Sequence, residues 1–159
     1  LKKTYTKVKI PNTVKYDGVT YKVTAIANNA FKNNKKLKSV TIPTNIKTIG
    51  NSAFYKCTAL KSVTIPKNVS KIGSKAFYGC KKLTKMTIKT SKLTEKKVGK
   101  KAFTKMGSSN YKKVKVKVPK KKLKSFHPYQ VKLGRFTPLA EQLIIWRLFI
   151  AELQFLTGN

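Results

Sequence analysis

Four carboxylates, one histidine and two cysteines are all that this 159-residue sequence offers for acid–base, nucleophilic or metal chemistry. Asp17 falls in a predicted turn and Glu95 in a predicted loop. Glu141 and Glu152 fall on a predicted helix, about 16 Å apart at ~1.5 Å per residue. Paired carboxylates for hydrolysis need convergent placement, which none of these spacings provides. Cys57, Cys80 and the lone His127 fall short of the four closely spaced ligands of a structural zinc site. No GxSxG, HExxH or phosphate-loop pattern occurs. The expectation is a non-enzymatic protein without a cofactor.

The two cysteines lie 23 residues apart. If they occupy equivalent places in stacked units, strands ~4.8 Å apart put a disulfide within its usual Cα span of ~4.4–6.8 Å. Side chains pointing the same way from equivalent positions fit the bond poorly, and Cys is a common buried apolar residue. Buried free thiols are therefore expected.

The elements that would hold these residues repeat. Residues 40–62 read VTIPTNIKTIGNSAFYKCTALKS, and residues 63–85 read VTIPKNVSKIGSKAFYGCKKLTK. A fixed period of this length is the signature of stacked repeats. Within a unit, LKSVTI alternates, so Leu60, Val63 and Ile65 point inward and Ser62 and Thr64 outward. Pro66, lacking an N–H, ends that strand. NVSKIG forms a second extended piece with Val69 and Ile72 inward, and Gly73 allows a tight bend. SKAFYGC predicts one short helical turn that places Ala76, Phe77 and Cys80 in the core.

An altered unit occupies residues 1–31, where VKIP matches VTIP. Pro11 to Phe31 spans nine residues more than Pro43 to Phe54. The insertion, TVKYDGVTYKV, carries Asp17-Gly18 between alternating residues, a strong hairpin signal. Terminal repeats are expected to be atypical, and this hairpin is expected to cap the first coil. In AIANNAFKNNKKLKS, Ala27 stands for the later Gly and Asn34 for the later Cys. The fourth unit, from Met86, is degenerate, with three extra residues in a loop between Ile88 and Val98. Val114, Val116 and Val118 then alternate with Lys as in an edge strand, whose outward lysines discourage further pairing.

The pattern IPxxVxxIGxxAFxxCxxLxxVxI resembles the BspA-like leucine-rich repeat family of bacterial surface proteins. It is carried by Ile42, Pro43, Ile46, Ile49, Gly50, Ala53, Phe54, Cys57, Leu60, Val63 and Ile65. A second copy runs through Ile65, Pro66, Val69, Ile72, Gly73, Ala76, Phe77, Cys80, Leu83, Met86 and Ile88. The match covers about residues 5–126 and departs from the pattern at Met86, at Lys89 and after Phe126. The resemblance implies an elongated, curved solenoid on a secreted or wall-attached protein, used for adhesion to proteins or glycans. The fold expected is a β-rich leucine-rich-repeat solenoid. It consists of stacked 23-residue coils of short parallel strands and short helical turns, with an N-terminal β-hairpin cap and a C-terminal helix. Residues 1–31 form the hairpin-modified first unit, 32–118 the repeats, 119–134 a cap or junction, and 135–159 an apolar helical tail.

The charge is extreme: 37 Lys and Arg against four acids, net +33, with 35 of the 37 being Lys. Residues 1–125 hold 34 lysines against Asp17 and Glu95, net +32, while the last 34 residues carry only +1. Such a surface attracts polyanions through fields that salt weakens. The Lys, Asn, Ile and Tyr bias with scarce Arg is also what an AT-rich genome produces, and both readings stand.

Binding is the remaining function class. The outward ladders Ser39, Ser62 and Lys85, then Thr41, Thr64 and Thr87, then Lys38 and Lys61 form the candidate face. Solenoids commonly bind through regular surfaces, although Ser and Thr are also ordinary exposed strand residues. The expected partner is a host or bacterial surface protein or a glycan, with the protein extracellular or wall-attached. The alternative is a spacer held electrostatically to anionic polymers. Non-specific adhesion to polyanions at low salt is expected. Specific nucleic-acid binding is not, because Arg is scarce and only Tyr55, Tyr78 and Tyr111 offer rings for stacking.

The tail FTPLAEQLIIWRLFIAELQFLTGN has helix grammar, with Thr137 to cap, Pro138 at the first position and Gly158 to terminate. Thirteen of the 18 residues from Leu139 to Leu156 are apolar, with Glu141, Gln142, Arg147, Glu152 and Gln154 scattered around the wheel. A membrane span is not expected, since the charged residues are costly in a bilayer. Either this helix packs on the last coil or a second copy, or the change at His127-Pro128 marks a fusion scar or frame slip. The tail is set aside from functional inference.

Overall fold

The computed structural model describes residues 5–107 and the backbone of 115–117. The junction, Tyr111, His127 and the helical tail expected from the sequence lie outside the described residues. Two parallel sheets run side by side through the repeats. The first joins β1 (Lys7–Lys9), β5 (Ser39–Thr41), β7 (Ser62–Ile65), β9 (Lys85–Ile88) and β10 (Lys115–Lys117) in that spatial order. The second joins β4 (Ala25–Ile26), β6 (Thr48–Ile49) and β8 (Lys71–Ile72). Ser39 pairs with Ser62 and Ser62 with Lys85, so the register advances by the 23-residue period. Lys7 pairs with Ser39 across 32 residues, and the nine extra residues are the inserted hairpin.

Alternation decides which side chains enter the core. Val40, Val63 and Met86 face inward on the first sheet, and Ile26, Ile49 and Ile72 line the second, all of them buried. An isolated parallel bridge from Ile72 to Val98 extends the second sheet past the inserted loop. That loop holds one turn of 3-10 helix, Glu95–Lys97. Phe31, Phe54, Phe77 and Phe103 stack in a single column, with centroids 5.1, 5.1 and 5.9 Å apart and rings within 10° of parallel. Burying a Phe side chain stabilises by roughly 1.5–3 kcal/mol, and aromatic packing adds ~0.5–1.5 kcal/mol per pair.

The third side of each unit corrects the expected helical turn: SKAFYGC and its equivalents are serial turns, with no helix. Residues at both ends have left-handed backbones: Ser52 (φ 53°) and Lys56 (φ 53°), Lys75 (φ 55°) and Gly79 (φ 71°). Alternate N–H groups bond within the unit, as Ala53 to Gly50 and Tyr55 to Ser52 do. The others donate to the following unit, Ser52 to Ser74, Phe54 to Ala76 and Lys56 to Tyr78. An α-helix would consume these donors internally. The left-handed residues turn half of them outward, so a third ladder joins the units.

The glycine at the start of the turn meets a second demand beside the bend. Gly73 does not have positive φ. A Cβ there would lie 2.4 Å from the Asn51 nitrogen, and one on Gly50 2.6 Å from the Asn28 nitrogen. Adjacent units approach too closely for any side chain at this place. The same contact carries an amide ladder, with the Asn28 Oδ1 accepting from the Asn51 N–H (2.7 Å) and the Asn51 Oδ1 from the Ser74 N–H (2.8 Å).

The hairpin forms as Asp17-Gly18 predicts. β2 (Thr13–Tyr16) and β3 (Val19–Lys22) pair antiparallel, with φ 48° at Asp17 and 72° at Gly18. All eight strand residues are nevertheless exposed. Val14, Tyr16, Val19 and Tyr21 share one face, and Tyr16 is 75% exposed. In the first unit Ile10 and Ile26 are buried while Ala30 and Phe31 stay half-buried, whereas Ala53 and Phe54, with a unit on either side, are fully buried.

Candidate binding face

Pairing in the first sheet collects the candidate residues into columns. One runs Lys7, Ser39, Ser62, Lys85 and Lys115. The next runs Lys9 and Thr41, then Thr64 and Thr87, and ends at Lys117. Lys38, Lys61 and Thr84 form a third: the Lys61 N–H donates to the Lys38 carbonyl (3.1 Å) and the Thr84 N–H to the Lys61 carbonyl (3.0 Å). Lys38, Thr41, Lys61, Ser62, Thr64 and Lys85 are exposed, and Ser39 and Thr87 half-buried. Ser39, Thr41, Ser62, Thr64, Lys85 and Thr87 therefore share one face, outward because their neighbours Val40, Val63, Ile65 and Met86 point into the core, and Lys38 and Lys61 adjoin it just before the strands.

The sequence reading missed the ends of these columns. Lys7 and Lys9 on β1, and the register positions of Lys115 and Lys117 on β10, frame a hydroxyl-bearing centre. VKIP and KVKVKVP carried the signal, but the insertions obscured the pairing. Five strands at ~4.8 Å spacing make the face about 19 Å across. Its chemistry is limited to hydroxyls and ammonium groups. Among the described residues these hydroxyls are placed to donate and accept hydrogen bonds.

The cysteines stand elsewhere and are inert. Both are buried and free. The Cys57 Sγ donates to the Phe31 carbonyl (3.0 Å) and the Cys80 Sγ to the Phe54 carbonyl (3.2 Å). Burial pushes the Cys57 thiol up to about 12, and burial followed by the neighbouring Cys57 raises Cys80 as well. Asn34 fills the same place in the first unit and donates from Nδ2 to the Tyr5 carbonyl (3.3 Å). Met106, also buried but without a donor, fills it in the fourth unit. Among the described residues no three His, Cys, Asp or Glu side chains come together to hold a metal. No helix among them is long and apolar enough to cross a membrane.

The periodic Ile, Phe, Cys and Leu ladders agree with a family model described as BspA type leucine rich repeat region, which matches residues 24–136 in six copies. The chain belongs to the BspA-type leucine-rich repeat family. Among solved structures, a leucine-rich repeat protein from Bacteroides capillosus ATCC 29799 is similar to this BspA-type chain. It is 25% identical, with a TM-score of 0.55, over 72% of this chain and 78% of that one. A leucine rich cell surface protein from Faecalibacterium prausnitzii A2-165 aligns at 21% identity and a TM-score of 0.33. That alignment covers 72% of this BspA-type chain and 48% of the other, too loose an overlay to support an argument. A comparison with curated proteins finds no match.

Proposed function

We propose that this chain is a non-enzymatic adhesion module of a secreted or wall-attached bacterial protein, its repeats stacked as a solenoid. It binds a surface protein or glycan through Lys38, Ser39, Thr41, Lys61, Ser62, Thr64, Lys85 and Thr87. The observation that carries this reading is the alignment of Ser39, Ser62 and Lys85, and of Thr64 and Thr87, in adjacent columns of one sheet, with Thr41 on the same strand as Ser39. A regular, rigid face of hydrogen-bonding groups suits a repeating or extended partner, because the groups need no reordering on contact.

A second reading, electrostatic retention on anionic polymers, is favoured by 34 lysines against two acids in residues 1–125. Salt separates the two. In binding to a glycan array and a panel of purified surface proteins, charge retention is lost by about 0.3 M salt, where exposed charges are screened. A specific partner survives that salt and is lost in Thr64→Tyr or Lys61→Glu. A catalytic activity abolished by changing Asp17 or Glu95 would overturn both readings.

A further inference from the structure

The turn side of the repeats carries a second arrangement, unrelated to the sheet face. Tyr55 and Tyr78 each follow a core phenylalanine, as Lys32 does in the unit before. Their rings stack with centroids 5.2 Å apart and 9° from parallel. The Lys32 Nζ lies 5.9 Å from the Tyr55 centroid and the Lys56 Nζ 5.3 Å from it. At the other end of the stack, the Lys105 Nζ lies 5.7 Å from the Tyr78 centroid.

Two ammonium groups thus approach one ring, although like charges repel. The ring quadrupole attracts each cation, and the backbone fixes where they start. Lys56 has a left-handed backbone (φ 53°), and its N–H donates to the Tyr78 carbonyl (2.7 Å). In the next unit Gly79 occupies the equivalent place, and the stem of Lys56 lies over it. A Cβ on Gly79 would meet the Lys56 Cγ at 3.2 Å. The missing side chain is what lets Lys56 lean along the stack. Asn33 holds the same place in the first unit, also with positive φ.

We propose that Lys32, Lys56 and the Tyr55–Tyr78 pair form a site for the phosphate groups of a base-free phosphodiester polymer, a polyol phosphate running from unit to unit. The inference rests on the charge-retention reading above and gives that reading a location. Every polar group at the tip of these side chains can donate, and none is a carboxylate, so the site is matched to an oxyanion. Lysine serves phosphate as a compact point charge. The stack uses the ring faces for Tyr–Tyr and Lys–Tyr contact, so no face is offered to a nucleobase, which excludes the usual mode of single-strand binding. Successive units rise by ~4.8 Å, presenting ammonium groups at short intervals along a flexible chain.

The test measures binding of the full chain to immobilised poly(glycerol phosphate) at 0.15 M salt, beside dextran sulfate and single-stranded DNA. Two variants are matched in charge: Lys32→Gln/Lys56→Gln at the site, and Lys47→Gln/Lys71→Gln, exposed lysines beside the second sheet. The first is expected to weaken binding about tenfold, the loss of two exposed charge contacts, and the second less than about twofold. Gly79→Asn changes no charge and keeps a residue that accepts the left-handed backbone; by displacing Lys56 it is expected to weaken binding about threefold. Equal losses in the two lysine pairs would overturn the site and leave diffuse retention standing. Absence of wild-type binding would overturn both. An unchanged Gly79→Asn, or dextran sulfate or DNA held as tightly through the same residues, would overturn the assignment.

Discussion

The repeats and the inserted hairpin are built from similar residues, Val, Tyr, Thr and Lys in alternation, yet their apolar positions meet opposite fates. In the repeats, Val63, Ile65, Val69 and Ile72 are buried because an equivalent residue 23 positions away lies against each from the neighbouring unit. In the hairpin, Val14, Tyr16, Val19 and Tyr21 share one face that stays exposed. The local code for a strand is satisfied in both. Burial comes from a second layer, and only the repetition supplies one. An isolated two-stranded hairpin is held mainly by its turn and its own ladder.

That contrast can be broken by substitution. The largest effect is expected at Phe77, stacked between Phe54 and Phe103: Phe77→Ala should cost about 3–5 kcal/mol in urea unfolding. A cost below about 1 kcal/mol would mean the units do not depend on one another. Next comes the glycine pair. Gly73→Ala places a Cβ against the Asn51 backbone and should cost about 1–3 kcal/mol. Gly18→Asn, at the hairpin turn with nothing within 4 Å, should cost only a few tenths of a kcal/mol, since Asn tolerates a left-handed backbone. Equal costs would erase the distinction between close packing and turn conformation.

The thiols sharpen the comparison further. Below the ordinary thiol value of 9.0, Cys57 keeps its proton folded or unfolded and its contribution is complete. Between 9.0 and about 12 the unfolded chain ionises first, so stability falls as pH rises. Cys57→Ala should therefore lose less stability than wild type across that window, read from melts of both proteins. At pH 8 neither cysteine should react with iodoacetamide until urea is added. The smallest effect is expected in the hairpin, where Tyr16→Ala should shift stability by no more than about 0.5 kcal/mol. A larger loss would show that the hairpin leans on the repeats.

Much of this was legible because a repeat states its rules more than once. Pro66 after Ile65, buried Cys57 and Cys80, and the hairpin at Asp17-Gly18 all read directly from pattern. One local reading went wrong and another was incomplete, for the same reason. SKAFYGC has helix-compatible spacing, but its donors are needed by the next unit, a demand no single unit reveals. Gly73 read only as a bend, although a second constraint comes from atoms of the unit before. The candidate face was legible in its centre and not at its ends, since insertions of different length separate Lys7 and Lys115 from the residues they pair with.

What the sequence determined by itself was the period, the set of core positions and the imbalance of charge, because each is a property of residue type and spacing along one chain. Which donors point outward, which glycine is squeezed, where lysines gather beside Tyr55, and that the hairpin's apolar face remains uncovered were decided by the tertiary structure. Each depends on what an adjacent unit places a few ångströms away. Alternation can say that a side is apolar, but only packing says whether anything lies against it.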